Sequence, residues 1–188
     1  MKPEKLLEML HTAEKLKNIT RHCDTSIGRR ESVAEHSWRL ALMSYWIAEE
    51  FPNLDATKIM KMCLIHDLGE CFTGDIPVFD KTDADEEKEE ALLQQWIETI
   101  PEKLREEMSN LFLEMKEQKT EEAKVFKALD GMEAILQHNE ADISTWEDHE
   151  YDLQLTYCCD RVTFSPYLES IRNAIKSETI EKIQKERN

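Results

Sequence analysis

Apolar residues recur at spacings of three and four along most of the chain, a rhythm that predicts helices. Leu6, Leu10, Ala13 and Leu16, following Pro3, describe a first amphipathic helix ending near Asn18. From Thr20 to Glu31 the rhythm lapses, so a loop is expected there. Ser32 with Glu35 forms a capping-box pattern, from which a second helix should run through Val33, Leu40, Ser44 and Ile47 to Phe51. Asp55 can cap a third, whose face repeats as Ile59, Cys63, His66 and Glu70 before Thr73-Gly74-Asp75 turns the chain. Two helical patterns divided at Pro101 follow between Asp83 and Glu122, the second carrying Leu104, Met108, Leu111 and Met115; their acidity predicts a solvated hairpin. Thr120 can cap a helix reaching Asn139, with the stripe Ala123, Phe126, Leu129 or Asp130, Glu133 and Gln137. The polar and aromatic stretch after Asn139 reads as a loop able to wall a pocket. Ser165-Pro166 opens a last helix whose Tyr167, Leu168, Ile171, Ile175 and Ile183 make a packing or dimer face.

Composition sharpens this into a fold class. Four glycines and five prolines in 188 residues leave little punctuation, so long helices joined by short turns are expected: all-α, as one domain over residues 1–188. The net charge of −16 repels nucleic acid and anionic membranes and argues against both as partners. A small anionic substrate stays compatible if a metal or a few arginines draw it in. Five cysteines make an odd number without a C-x-x-C, and neither a secretory h-region nor a membrane-length apolar run is visible. A cytoplasmic location is the expectation.

Candidate chemistry sits against that acidic background. Arg21, Arg29 and Arg30 gather with His22 beside Gly28, as an anion-contacting loop would, although a solvated connector can have the same composition. The stretch from Cys63 to Asp75 then sets His66, Asp67, Glu70 and Asp75 among Leu64, Ile65 and Leu68. Burying unpaired ionisable groups costs several kcal/mol, so such a density needs mutual pairing or a ligand. His36 lies on the inward stripe of the second helix, and Asp130 stands amid Ala128, Leu129 and Met132. Each alone reads as a satisfied core residue. Together His36, His66, Asp67 and Asp130 make a mixed nitrogen and oxygen set for one divalent transition metal (Co, Mn, Fe, Ni or Zn) with positions left open. Glu70, one turn beyond His66, falls near that metal without being obliged to bind it, which suits proton transfer.

At these residues the sequence resembles the HD-domain phosphohydrolases, whose signature is a histidine, a His-Asp pair and a distant aspartate on successive helices. Here they stand as His36 in ESVAEHSWRLA, His66-Asp67 in LIHDLGE and Asp130 in FKALDGMEA. Arg21 upstream and Glu70 to Asp75 in the pattern E-x-x-x-G-D make it most similar to the small bacterial 5′-deoxynucleotidases. The resemblance implies a helical bundle with its metal core over 15–137, a C-terminal packing segment over 150–188, and a homodimer. It implies metal-dependent release of phosphate from (deoxy)nucleoside 5′-monophosphates, with Arg21 on the phosphate and Glu70 and Asp75 near the attacking water and the sugar. Two positions depart from related patterns: His22 stands where many deoxynucleotidases carry a tryptophan against the sugar, so a deoxyribose preference is not implied. Cys71 stands where the stringent-response hydrolases carry aspartate. A regulatory module that binds nucleotide or metal without turnover is the alternative, and Glu70 and Asp75 favour the enzyme because such a module has no evident use for a proton-transfer group.

Overall fold

In the computed structural model, described over residues 1–186, helix α7 (Glu121–Glu140) is the axis of the molecule. Thr120 starts it by accepting from the Ala123 backbone N–H at 3.3 Å. Its buried residues, among them Val125, Phe126, Ala128, Leu129, Met132 and Ile135, face all round the helix, as required of a helix enclosed by others. Around it pack α2 (Val33–Trp46), α3 (Ala56–Ile65), α6 (Glu102–Glu117) and α9 (Pro166–Glu186). A second apolar cluster joins Leu16, Val33, Leu68, Cys71, Leu93, Ile97 and Met108, where α4 (Glu70–Thr73) and α5 (Asp83–Ile97) meet the segment after α1 (Pro3–Ala13). Ile65 and Phe112 touch both clusters, so the end of α3 lies on the seam between them.

The all-α class holds, with differences in detail. The first helix stops at Ala13, and a 3₁₀ turn over Glu14–Lys17 continues to Asn18. The expected loop of residues 20–31 is an antiparallel hairpin, β1 (Thr20–Asp24) with β2 (Arg30–Ser32), turned at Gly28 with φ +79°. Strands this short, rich in charged residues, show no legible alternation. Helix α2 ends at Trp46 rather than Phe51, and α3 at Ile65, after which i→i+3 turns carry residues 66–69 into α4. The acidic hairpin is more than a solvated face: Leu93, Ile97, Met108, Leu111 and Met115 are buried. After Asn139 the chain forms a 3₁₀ turn (Ile143–Thr145) and then α8 (Glu150–Thr156). Leu168, Ile175 and Ile183 of α9 are buried, with the helix packed on α7 and α8, so these residues of the last stripe form a packing face within the chain. None of the helices described is long and apolar enough to cross a membrane.

The chain approaches α7 closely at Gly131, where a Cβ would stand 2.7 Å from the Cβ of Cys158. On an exposed helix, Gly→Ala stabilises by about 1 kcal/mol. Here Gly131→Ala is expected to lower stability by about 1–3 kcal/mol, because the segment after α8 has to move. Urea unfolding tests this, and an unchanged or raised midpoint contradicts the packing described.

Candidate metal centre

Three helices each deliver a piece of one site. His36 lies one turn into α2, 1% exposed, on the buried stripe of Val33, Ser37 and Leu40. His66 follows the last residue of α3, Asp67 occupies the turn beyond it, and Asp130 is halfway along α7. The Nε2 atoms of His36 and His66 are 3.3 Å apart. Asp67 Oδ2 lies 3.0 Å from His66 Nε2 and 3.8 Å from His36 Nε2, while Asp130 Oδ1 lies 3.7 and 3.2 Å from the same two atoms. His36, His66 and Asp67 thus have ligand-type atoms within 4.8 Å of one another, and Asp130, the fourth residue expected as a metal ligand, reaches the two histidines beside them.

The outer contacts decide what that point accommodates. His66 Nδ1 donates to the carbonyl of Cys63 at 2.9 Å, and His36 Nδ1 is bonded to the carboxylate of Glu133. With both Nδ1 atoms engaged on acceptors, each neutral imidazole turns its Nε2 lone pair inward. Two lone pairs facing two carboxylate oxygens call for a cation, and this nitrogen and oxygen set fits a divalent transition metal. The electrostatics agree. Burial pushes Asp67 up, but His66 and His36 overcome it and hold the carboxyl at about 2. Burial likewise opposes ionisation of Asp130, yet Lys127, whose Nζ meets Oδ2 at 2.8 Å, and His36 hold it well below the usual carboxylate range. Burial and Arg21 press the His36 imidazole down, while Glu133 and Asp130 outweigh them and keep it at about 9, so without a metal the centre holds a proton instead.

Glu133 is the residue that sequence reasoning missed. It has no exposed surface and accepts from Arg39 Nε at 2.6 Å and Arg21 Nη1 at 3.3 Å besides holding His36. Its signal was present: a carboxylate three residues beyond Asp130 on the same inward stripe. Glu31, also buried, accepts from Arg21 Nη1 at 2.9 Å and from the Cys23 thiol at 3.2 Å. Glu31, His36 and Glu133 have ligand-type atoms within 4.8 Å of one another too, but Arg21 already supplies the positive charge between those carboxylates.

A cavity of about 460 Å³ opens beside the centre, and Arg21, His22, Glu70 and Asp75 line it with Asp67 and Asp130. Glu70 is 6% exposed, and its Oε2 has no hydrogen-bond partner among the described residues. Burial first, then Asp67, Asp75 and Glu89, push its carboxyl up to about 10. Asp75 is raised by burial and by Asp67, against the pull of Arg21. Arg29 and Arg30 are a correction: neither lines the cavity, because Arg29 pairs with Glu35, and Arg30 with Asp24 and the carbonyl of His22. Cations that the sequence did not single out, Lys81, Lys127 and Arg161, stand there instead, and the acidic hairpin contributes Glu86.

A helical bundle converging two histidines and two aspartates on one point defines a class, and a match to the HD domain over residues 13–172 agrees with it: the chain belongs to the HD-domain family. It is 35% identical over 150 residues to human 5′-deoxynucleotidase HDDC2, covering 78% of this chain and 70% of that protein. To the Dictyostelium discoideum protein of the same name it is 29% identical over 176 residues, covering 88% and 87%. Among solved structures, a predicted metal-dependent phosphohydrolase from Magnetospirillum magnetotacticum superposes with a TM-score of 0.80 at 28% identity, covering 95% of this chain and 93% of that one. The expectations of an HD-domain phosphohydrolase, and of an enzyme rather than a regulatory module, are borne out.

Glu70 gives the site a measurable pH signature. Its carboxyl is held at about 10 in the fold against an ordinary 4.5, so folding of the metal-free protein takes up a proton there. That contribution is complete below the ordinary value and is lost as pH rises toward the folded one. Glu70→Gln should therefore melt with the unsubstituted protein near pH 4.5 and above it at pH 8, by about 2–4 °C per kcal/mol recovered. A melting difference that does not change with pH contradicts the raised carboxyl.

Proposed function

We propose that this protein hydrolyses (deoxy)nucleoside 5′-monophosphates to nucleoside and phosphate, using one divalent transition metal (Co, Mn, Fe, Ni or Zn) held by His36, His66, Asp67 and Asp130. The observation that carries this reading is the convergence of their four acceptor atoms beside a cavity that also presents Arg21. Relatives named 5′-deoxynucleotidases support the substrate class. The free cysteines support a reducing compartment, and the cytoplasm is the location proposed.

The bound metal supplies Lewis acidity toward a phosphoryl oxygen and makes a nearby water easier to deprotonate. Everything else falls to the chain. Arg21 is fixed by Glu31 and Glu133, both through Nη1, so the guanidinium is positioned before substrate arrives and neutralises non-bridging phosphate oxygens. Glu70 orients the attacking water and takes its proton, which it can do once positive charge at the centre offsets Asp67 and Asp75. The bond from water oxygen to phosphorus forms as the bond to O5′ breaks, and O5′ leaves with the proton that Glu70 took from the water. Asp75, beside Glu70 in the cavity, holds the sugar or shares that transfer, and His22 lines the nucleoside side.

Two kinetic signatures separate these roles. Glu70→Gln should keep metal and lower kcat by about 10²–10⁴, whereas Arg21→Ala should act mainly by raising KM. Phosphate release from a panel of ribo- and deoxyribonucleoside monophosphates with saturating Co²⁺ or Mn²⁺ measures both; an unchanged kcat in Glu70→Gln removes its role.

Glu133 touches no substrate in this scheme, but it orients His36. Glu133→Gln should weaken Co²⁺ binding by about 10- to 100-fold. Calorimetric titration reads this directly, and an unaltered affinity rules out the orienting role.

A further inference from the structure

The cavity continues well past the metal centre. Along α7, Asp130, Ala134 and His138 line it one turn apart, so its floor runs about 12 Å at 1.5 Å per residue. At the far end stands Glu150, the first residue of α8, 1% exposed. Its Oε2 accepts from the Glu147 backbone N–H at 2.8 Å, while its Oε1 has no hydrogen-bond partner among the described residues. His22 Nε2 at 3.7 Å and His138 Nε2 at 3.6 Å flank Oε1 beyond hydrogen-bonding distance. Burial first, then Arg21 and His22, hold the His138 imidazole down at about 4, so it brings no positive charge to the carboxylate. A buried acceptor of this kind is costly unless a donor reaches it.

Between the centre and Glu150 the cavity is walled by Pro77, Val78, Phe79 and Leu153 over the small Ala134. Phe79 is held edge-on between His22 and His149, with ring centres 5.2 and 4.5 Å apart. An aromatic base can pack against these apolar walls, and its edge would then reach Glu150.

We propose that Glu150 reads the base of the substrate: Oε1 accepts a hydrogen bond from an exocyclic amino group, so bases presenting an amino group at that edge are preferred over those presenting a carbonyl. The inference rests on the nucleoside monophosphate reading above. A carbonyl oxygen in the same place sets lone pair against lone pair beside a carboxylate. Cytosine and uracil test the effect, because they are nearly the same size and exchange the exocyclic amino group for a carbonyl, with the adjacent N3 changing from an acceptor to an N–H donor. A hydrogen bond to a charged acceptor corresponds to a preference of about 10- to 100-fold in kcat/KM for the cytosine compounds.

The test measures kcat/KM for CMP, UMP, dCMP and dUMP on the metal-loaded protein and on Glu150→Gln, with thermal melting to follow the variant's folding. In Glu150→Gln the amide oxygen has to accept the Glu147 N–H, which turns the amide NH₂ toward the cavity as a donor. The cytosine preference should then vanish or reverse. A cytosine-to-uracil ratio near one in the unsubstituted protein overturns the inference and needs no variant. A ratio that Glu150→Gln leaves unchanged overturns it as well, and in both cases the phosphohydrolase reading survives. Failure to release phosphate from any of the four overturns both.

Discussion

Midway along the central helix, Glu133 carries a carboxylate into a position with no exposed surface, and three separate groups converge to compensate it: His36 and Arg39 from α2 and Arg21 from β1. A buried charge deprived of a partner costs about 3–5 kcal/mol, so these contacts constrain how the hairpin, α2 and α7 lie against one another. The consequence for the site is direct. Binding Nδ1 of His36 fixes which nitrogen faces the other helices, and that nitrogen is one of the four atoms at the centre.

Two neighbouring clusters therefore solve the same electrostatic problem differently. Glu31 and Glu133 share Arg21, and Arg39 adds a second cation on Glu133, so the positive charge there belongs to the protein. Among the described residues, none places such an internal cation between His66, Asp67 and the inward edges of His36 and Asp130; Lys127 meets the outer oxygen of Asp130. Burial first, and then Asp67 and Asp75, hold the Glu70 carboxyl high, so positive charge at the centre would lower it. In a chain of net charge −16, a local positive centre is also what allows an anionic substrate to approach.

Much of this was legible in the sequence because helices announce themselves by period and cap. Ser32, Asp55 and Thr120 all cap as expected, and with the stripes set, His36, His66, Asp67 and Asp130 had to converge if they acted at all. The hairpin was invisible because its second strand spans three residues, too short for a period of two to register. That error carried a second one: a single basic loop would bring three arginines together, whereas pairing into strands leaves Arg21 on the cavity and Arg29 and Arg30 in ion pairs outside it. Glu133 was overlooked for the opposite reason. It sits on a recognised stripe, but a buried carboxylate becomes meaningful only when its partners from distant elements are known. Glu150 carried no signal, since residues 139–151 have no period and α8 is short.

The central claim is that four atoms from three helices hold one divalent ion. X-ray absorption of the protein loaded with Co²⁺, combined with titration of its stoichiometry, addresses this most directly. The account predicts one tightly bound equivalent, with scattering from two imidazoles and from carboxylate oxygens, and loss of that equivalent in His66→Ala. Cobalt bound without imidazole scattering, or held as firmly by His66→Ala, contradicts it.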